Sequence, residues 1–193
     1  MDINELREKH PDLFDREYQE WLAHDMGYDW WDAVYDQFRL ECEPKGVHID
    51  LSRTYFSLGY SQSDHAEIGG FIDFAAWMEA NGYDKQYQPL YLDAMEYGAN
   101  MTINRRGVSM DYAPGNTYPQ GVFSDLPEDA WEELVEEQYK AEDWEKLLDE
   151  TVKDLNHDLY KRLVGEYEYL TSEESFVEHC IANDVTFDEG DDE

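Results

Sequence analysis

Basic side chains are scarce in this chain. Fourteen Lys and Arg stand against 47 Asp and Glu in 193 residues, a formal net charge of −33. Nucleic acids and anionic membranes are held mainly by cationic side chains that neutralise phosphates, so direct binding to either through a broad basic surface is excluded. Cysteine is nearly absent: Cys42 and Cys180 lie far apart and form neither a CxxC pair nor a disulfide framework. Buried free thiols are expected. The six His are scattered, and His179 beside Cys180 is not at metal-ligand spacing, so no zinc site and no cofactor is expected. No apolar run approaches the roughly 20 residues of a membrane helix. The N-terminal MDINELREKHPDLF has no signal-peptide core, so an intracellular, cytoplasmic chain is expected. Phosphate-binding glycine loops, a G-x-S-x-G elbow and H-E-x-x-H are all missing.

Aromatic residues, by contrast, are plentiful. Six Trp, 15 Tyr and 8 Phe make up 15% of the chain, far more than an acidic disordered segment carries. A folded core under a charged shell is therefore expected. Helical spacing runs through Pro11–Met26 (Leu13, Phe14, Tyr18, Trp21, Leu22) and again through Asp29–Cys42. From Val47 the period changes to two, predicting one strand to about Ser61 with a bulge near Ser52–Thr54. Residues 61–64 form a turn, and a second strand over Ala66–Asp73 completes a hairpin, its Gly69-Gly70 marking a close backbone approach. Helices are predicted over 74–82 and 87–99, then a strand or hairpin over 100–112 pivoting at Arg106-Gly107, and a loop over 113–121. Asp125 to Glu128 and Thr171 to Glu174 have capping-box patterns. Between them Leu148, Val152, Leu155, Leu159, Leu163, Tyr167 and Leu170 continue an apolar stripe from Trp144, predicting a long helix or helix pair broken near 141–143. A short helix to Ala182, an edge strand over 184–189 and a solvated EGDDE tail follow. The fold class is α+β: a small, mostly antiparallel sheet packed by helices, with a helical acidic C-terminal part. The organisation expected is a core over 1–123 and an acidic helical region over 124–193 packed on it.

The charge is uneven. Residues 124–193 hold 25 acids and 5 bases. Within them Glu128, Glu132 and Glu136 form one i, i+4 row, and Asp129, Glu133 and Glu137 a second beside it, opposite Trp131, Leu134 and Val135. At 1.5 Å rise per residue, successive carboxylates in a row are about 6 Å apart. That is of the same order as the phosphate spacing along a duplex edge, where one strand advances about 3.4 Å per nucleotide on the axis. Like charges at i, i+4 destabilise a helix by about 0.2–0.5 kcal/mol per pair, so fold stability does not account for them. Three explanations stand: a solubilising coat, adaptation to high salt, or a partner-binding face.

Trp30-Trp31 is the most aromatic point, readable as helix core or as an exposed hot spot for a partner. Ser57, Ser61, Ser63, Asp64 and His65 crowd one turn. Neighbours in one turn rarely converge as a catalytic triad, so a polar hairpin turn is the simpler expectation. The alternative is a small enzyme or ligand-binding domain using this turn and nearby carboxylates. Arg105-Arg106, a basic doublet, reads as a hairpin tip or an internal partner for carboxylates.

Three stretches, Asp29-Trp30-Trp31-Asp32-Ala33-Val34-Tyr35, Tyr55-Phe56-Ser57 through Ser61-Gln62-Ser63-Asp64, and Leu159-Tyr160 through Glu166-Tyr167-Glu168-Tyr169-Leu170-Thr171-Ser172, resemble a family of acidic, uncharacterised bacteriophage proteins sometimes labelled antitoxin-like. The middle stretch is similar to F-S-G-F-W-S-Q-G-D-G-A, departing from it at Leu58, Tyr60, Ser63 and His65. The resemblance implies phage origin and no established activity. Joined to the acidity, it raises the expectation of a non-enzymatic inhibitor whose acidic face covers a basic, nucleic-acid-binding host protein. An antitoxin covering a basic toxin is a further alternative. The apolar stripe from Trp144 also leaves room for a homodimer.

Overall fold

The computed structural model describes residues 1–24, 29–59, 64–104, 107–110, 124–142 and 144–188. The tip of the 61–64 turn, Arg105-Arg106, the 113–121 loop and the acidic tail lie outside them. Helices dominate, around a small antiparallel sheet, so the class is α+β. Two compact units are formed, one from Met1–Val34 and Lys161–Glu193, the other from Tyr35–Tyr160. This partition follows a different line from a cut at 123/124.

The first unit is helical. α1 (Ile3–Lys9) starts at Asp2, whose Oδ1 accepts from the backbone N–H of Asn4 and Glu5 at 2.9 Å. α2 (Pro11–His24) packs against it. The C-terminal helix of this unit, Glu173–Ala182 (α9 in the numbering below), is capped by Ser172, whose Oγ accepts from Ser175 N. The cap is thus Ser172 rather than Thr171, whose hydroxyl donates instead to Tyr167 O. Ile3, Leu6, Phe14, Phe176 and Cys180 make the core, with Phe14 and Phe176 edge-to-face at 5.5 Å. The expected strand over 184–189 is not formed across residues 184–188. Val185 N bonds back to Cys180 O, and Phe187 exchanges backbone bonds with Met1.

The second unit begins as α3 (Asp32–Cys42) enters it, followed by a 3-10 turn and β1 (Val47–Ile49). The predicted long strand is interrupted. Asp50 accepts from both the N–H and the hydroxyl of Ser52, which folds Leu51–Arg53 into a 3-10 turn rather than a bulge. β2 (Tyr55–Ser57) then pairs with β3 (His65–Glu67), while β1 pairs with β4 (Gly70–Asp73), both antiparallel. The expected hairpin is therefore present, split between two sheets. The close approach at Gly69-Gly70 is real: a Cβ on Gly70, at φ +146°, would sit 2.0 Å from His48 O, and one on Gly69 would sit 2.5 Å from Arg53 Cβ.

α4 (Phe74–Ala80) is capped by Asp73, which accepts from Ala76 N. A one-turn α5 (Tyr83–Gln86), not anticipated from the sequence, precedes α6 (Gln88–Tyr97), which has Pro89 in its first turn and stops at Gly98. β5 (Asn100–Asn104) and β6 (Gly107–Met110) complete a four-stranded sheet in the order β1-β4-β5-β6. Val47, Ile49, Ile72, Met101, Ile103 and Val108 turn one face inward, as period-2 alternation requires. α7 (Glu128–Glu142) packs on α6, and α8 is described over Trp144–Leu170; Asp143, within the stretch where a break is expected, lies outside the described residues. α7 begins at Glu128, with Asp125 in the preceding turn rather than at the helix cap. α9 closes the order.

Candidate functional site

α7 is two-faced for a simple reason. Trp131 and Val135, four residues apart, are fully buried, and this fixes which side of the helix meets the core. An indole buries on the order of 150–250 Å². At about 25 cal/mol per Å² its burial contributes on the order of 4–6 kcal/mol. Six like-charge neighbours at i, i+3 and i, i+4 among the acids oppose this by at most about 1–3 kcal/mol. Burial wins, so the helix holds its orientation despite the repulsion.

The opposite face carries the acids. Glu128, Asp129, Glu132, Glu133, Glu136 and Glu137 are all exposed. The helix therefore brings all six predicted residues onto one solvent-facing side in two adjacent rows. Lys140 pairs with Glu136. Glu128 and Asp129 fall in the first helical turn, where the helix dipole favours negative charge by a few tenths of a kcal/mol.

Trp30 and Trp31 sit elsewhere in the fold, in the first unit. They occupy the turn before α3 rather than the helix itself, which starts at Asp32. Both are half-buried. Their rings meet edge-to-face at 5.8 Å, and Trp30 also lies 5.8 Å from Tyr167. They are neither fully buried core nor bare hot spot.

The Ser57–His65 turn does not assemble a triad among its described residues. Ser57 Oγ donates to Asp64 Oδ1 at 3.2 Å, and Asp64 Oδ2 accepts from Gly59 N at 2.9 Å. His65 Nε2 instead lies 3.0 Å from the Tyr55 hydroxyl and 3.3 Å from Glu67 Oε1. Asp64 thus staples the turn, while His65 belongs to a cross-strand polar cluster. Among the described residues no group of three or more His, Cys, Asp or Glu side chains is placed to hold a metal ion. Both cysteines are free and buried, and burial, helped by the nearby Glu17 carboxylate, pushes the Cys180 thiol up from its ordinary value.

One feature escaped the sequence reading. A cleft of about 290 Å³ lies where α8 passes the β3–β4 junction and the β5–β6 hairpin, with Asp149 and Asn156 on its helical wall. Helical periodicity alone places both off the apolar stripe. Each instead accepts a backbone N–H: Asp149 from Val108 and Asn156 from Ile68.

These features define an α+β protein with an oriented acidic helix and a small cleft of mixed polar and apolar lining. The chain belongs to the family described as a domain of unknown function, DUF8835, which matches residues 30–173, about three quarters of its length. The matched span includes α7, the cleft and the Trp30-Trp31 pair. No curated protein and no solved structure matches the chain.

Proposed function

We propose that this chain is a phage-encoded inhibitor that acts in the host cytoplasm as an acidic mimic of nucleic acid. It covers the basic surface of a host protein that normally binds DNA or RNA, a restriction, CRISPR-type or related defence factor. It performs no chemistry of its own and needs no cofactor. The observation that carries the reading is the exposed double row on α7, six carboxylates on one side of a helix whose other side is anchored by Trp131 and Val135. Charge complementarity of this kind accelerates encounter and selects the partner. Among the described residues no helix is long and apolar enough to cross a membrane.

The test is capture of partners from a bacterial lysate on the immobilised chain, eluted with rising salt. The expected partner is a basic nucleic-acid-binding protein that elutes steeply with ionic strength and loses its own nucleic acid when the chain is added. Substituting Glu132, Glu133, Glu136 and Glu137 together with Gln should abolish capture. Retention of the partner at high salt, or capture unaffected by the four substitutions, refutes the proposal. Capture of a toxin encoded beside the chain would replace it with the antitoxin alternative.

A further inference from the structure

On the helical wall of the cleft beside α8, Asp149 and Asn156 each give one side-chain oxygen to a backbone N–H. Asp149, Val152, Lys153 and Asn156 fall at i, i+3, i+4 and i+7, so they share one face of the helix. Asp149 Oδ1 accepts from Val108 N at 2.9 Å, and its Oδ2 has no partner among the described residues. This approach requires a bare Gly107: a Cβ there would lie 2.6 Å from Asp149 Oδ1. Asn156 Oδ1 accepts from Ile68 N at 2.8 Å, which fixes the amide orientation and leaves Nδ2 a donor with no partner among the described residues. Lys153 lies between them along the helix and makes no ion pair among the described residues. Asp149 and Lys153 are at ideal i, i+4 spacing, yet no bridge joins them, because Val108 holds the carboxylate toward β6. Glu67, on the far wall, is engaged with His65 at 3.3 Å. Ile68 and Val152 supply an apolar floor, both nearly fully buried.

We propose that this cleft binds a free α-amino acid with an aliphatic side chain, held as its zwitterion. The ammonium group donates to Asp149 Oδ2. The carboxylate accepts from Lys153 Nζ and Asn156 Nδ2, and the side chain lies on Ile68 and Val152. The spacing suits such a ligand: along the axis Lys153 is about 6 Å and Asn156 about 10.5 Å from Asp149. Asp149 disfavours a simple anion and Lys153 a simple cation, so a ligand carrying both charges satisfies both groups of the helical wall. The volume, at the lower end of the roughly 300–1,000 Å³ of small-molecule sites, restricts the ligand to this size. The inference stands apart from the acidic face of α7.

L-leucine, N-acetyl-L-leucine and L-leucinamide are titrated into the 15N-labelled chain. The expected result is movement of the Ile68 and Val108 backbone amides and the Asn156 side-chain amide with leucine. Each blocked compound lacks one charge and should bind at least about tenfold more weakly. Asp149→Asn keeps an oxygen for Val108 N and removes the charge, and Lys153→Met keeps the stem. Each should weaken leucine binding by about tenfold or more. Replacing Glu132, Glu133, Glu136 and Glu137 with Gln should leave leucine binding unchanged, so failure here and failure of the inhibitor reading are separately visible. No movement at up to about 10 mM leucine, equal binding of a blocked compound, or unchanged affinity in either cleft variant overturns the proposal.

Discussion

Replacing Glu132, Glu133, Glu136 and Glu137 with Gln should make the isolated chain more stable, and only at low salt. These four positions take part in every like-charge neighbour pair on the face: 128/132, 129/133, 132/136 and 133/137 at i, i+4, and 129/132 and 133/136 at i, i+3. Six pairs at about 0.2–0.5 kcal/mol give a relief of about 1–3 kcal/mol. Against this stands loss of the Glu136–Lys140 bridge, an exposed i, i+4 pair whose contribution is about 0.3–0.5 kcal/mol. The net expectation is a gain of about 0.5–2.5 kcal/mol, or a rise in Tm of a few degrees for a chain of this length. Screening supplies the check. The Debye length is about 10 Å at 0.1 M and about 3 Å at 1 M, above and below the 6 Å row spacing. Urea unfolding at the two salt concentrations should therefore show the gain at the lower and little of it at the higher. A destabilised variant would mean that the acids hold the fold together. A gain independent of salt would mean that charge repulsion is not what the substitutions relieve. Either outcome refutes the argument that α7 keeps these carboxylates at a cost to stability.

Other expectations rest on single contacts. Gly70→Ala places a Cβ 2.0 Å from His48 O at a left-handed φ, so urea unfolding should show a loss of at least about 2–3 kcal/mol, or no soluble protein. Ser172→Ala removes the α9 cap and should cost about 1 kcal/mol by the same measurement, with Thr171→Ala costing less. Burial together with the Glu17 charge raises the Cys180 thiol, and burial together with Glu173 raises the Tyr18 hydroxyl. Both groups hold their protons more tightly folded than unfolded, so their contribution is intact below the unfolded thiol value of about 8.5 and is lost as pH rises beyond it. Stability should fall through the alkaline range, less in Cys180→Ala, and a thiol reagent should label Cys180 only on unfolding.

Local chemistry made the helices legible. Tyr18, Trp21 and Phe14 keep helical spacing, and the buried faces of α2, α7 and α8 follow from it. The α7 acids were legible for the same reason, since burying Trp131 and Val135 leaves Glu132, Glu133, Glu136 and Glu137 no other side. Boundaries set by polar side chains were not. Asp50 and Ser52 convert an apparent bulge into a 3-10 turn, although Val47, Ile49, Leu51 and Tyr55 read as one strand. Trp30-Trp31 continues the spacing of α3 but belongs to the turn before it. Least visible were partnerships across the chain. Phe187 finds Met1 instead of a strand, and Asp149 and Asn156 find Val108 and Ile68, 41 and 88 residues away. Helical periodicity marks a side chain as outward-facing; it does not say which backbone group waits there.

The choice between a solubilising coat and an interaction face turns on orientation. A coat works wherever its charges lie, and acids in an unfolded segment would serve as well as those on a helix at no cost to folding. Carboxylates on a packed helix differ from those on a tail in one respect that matters for binding. Their backbone is already ordered by Trp131 and Val135, so a partner that meets them need not order the chain again. Preorganised charge therefore converts more of its Coulombic gain into affinity than the same number of acids on a flexible segment. Two adjacent rows of three, with carboxylates about 6 Å apart along each row, also address more than one cation at once, which a lone surface pair, contributing about 0–1 kcal/mol, does not. A fold that carries about 1–3 kcal/mol of repulsion on one anchored helix, where the same charge in an unfolded segment would cost nothing, meets the energetic requirement of the proposed binding surface.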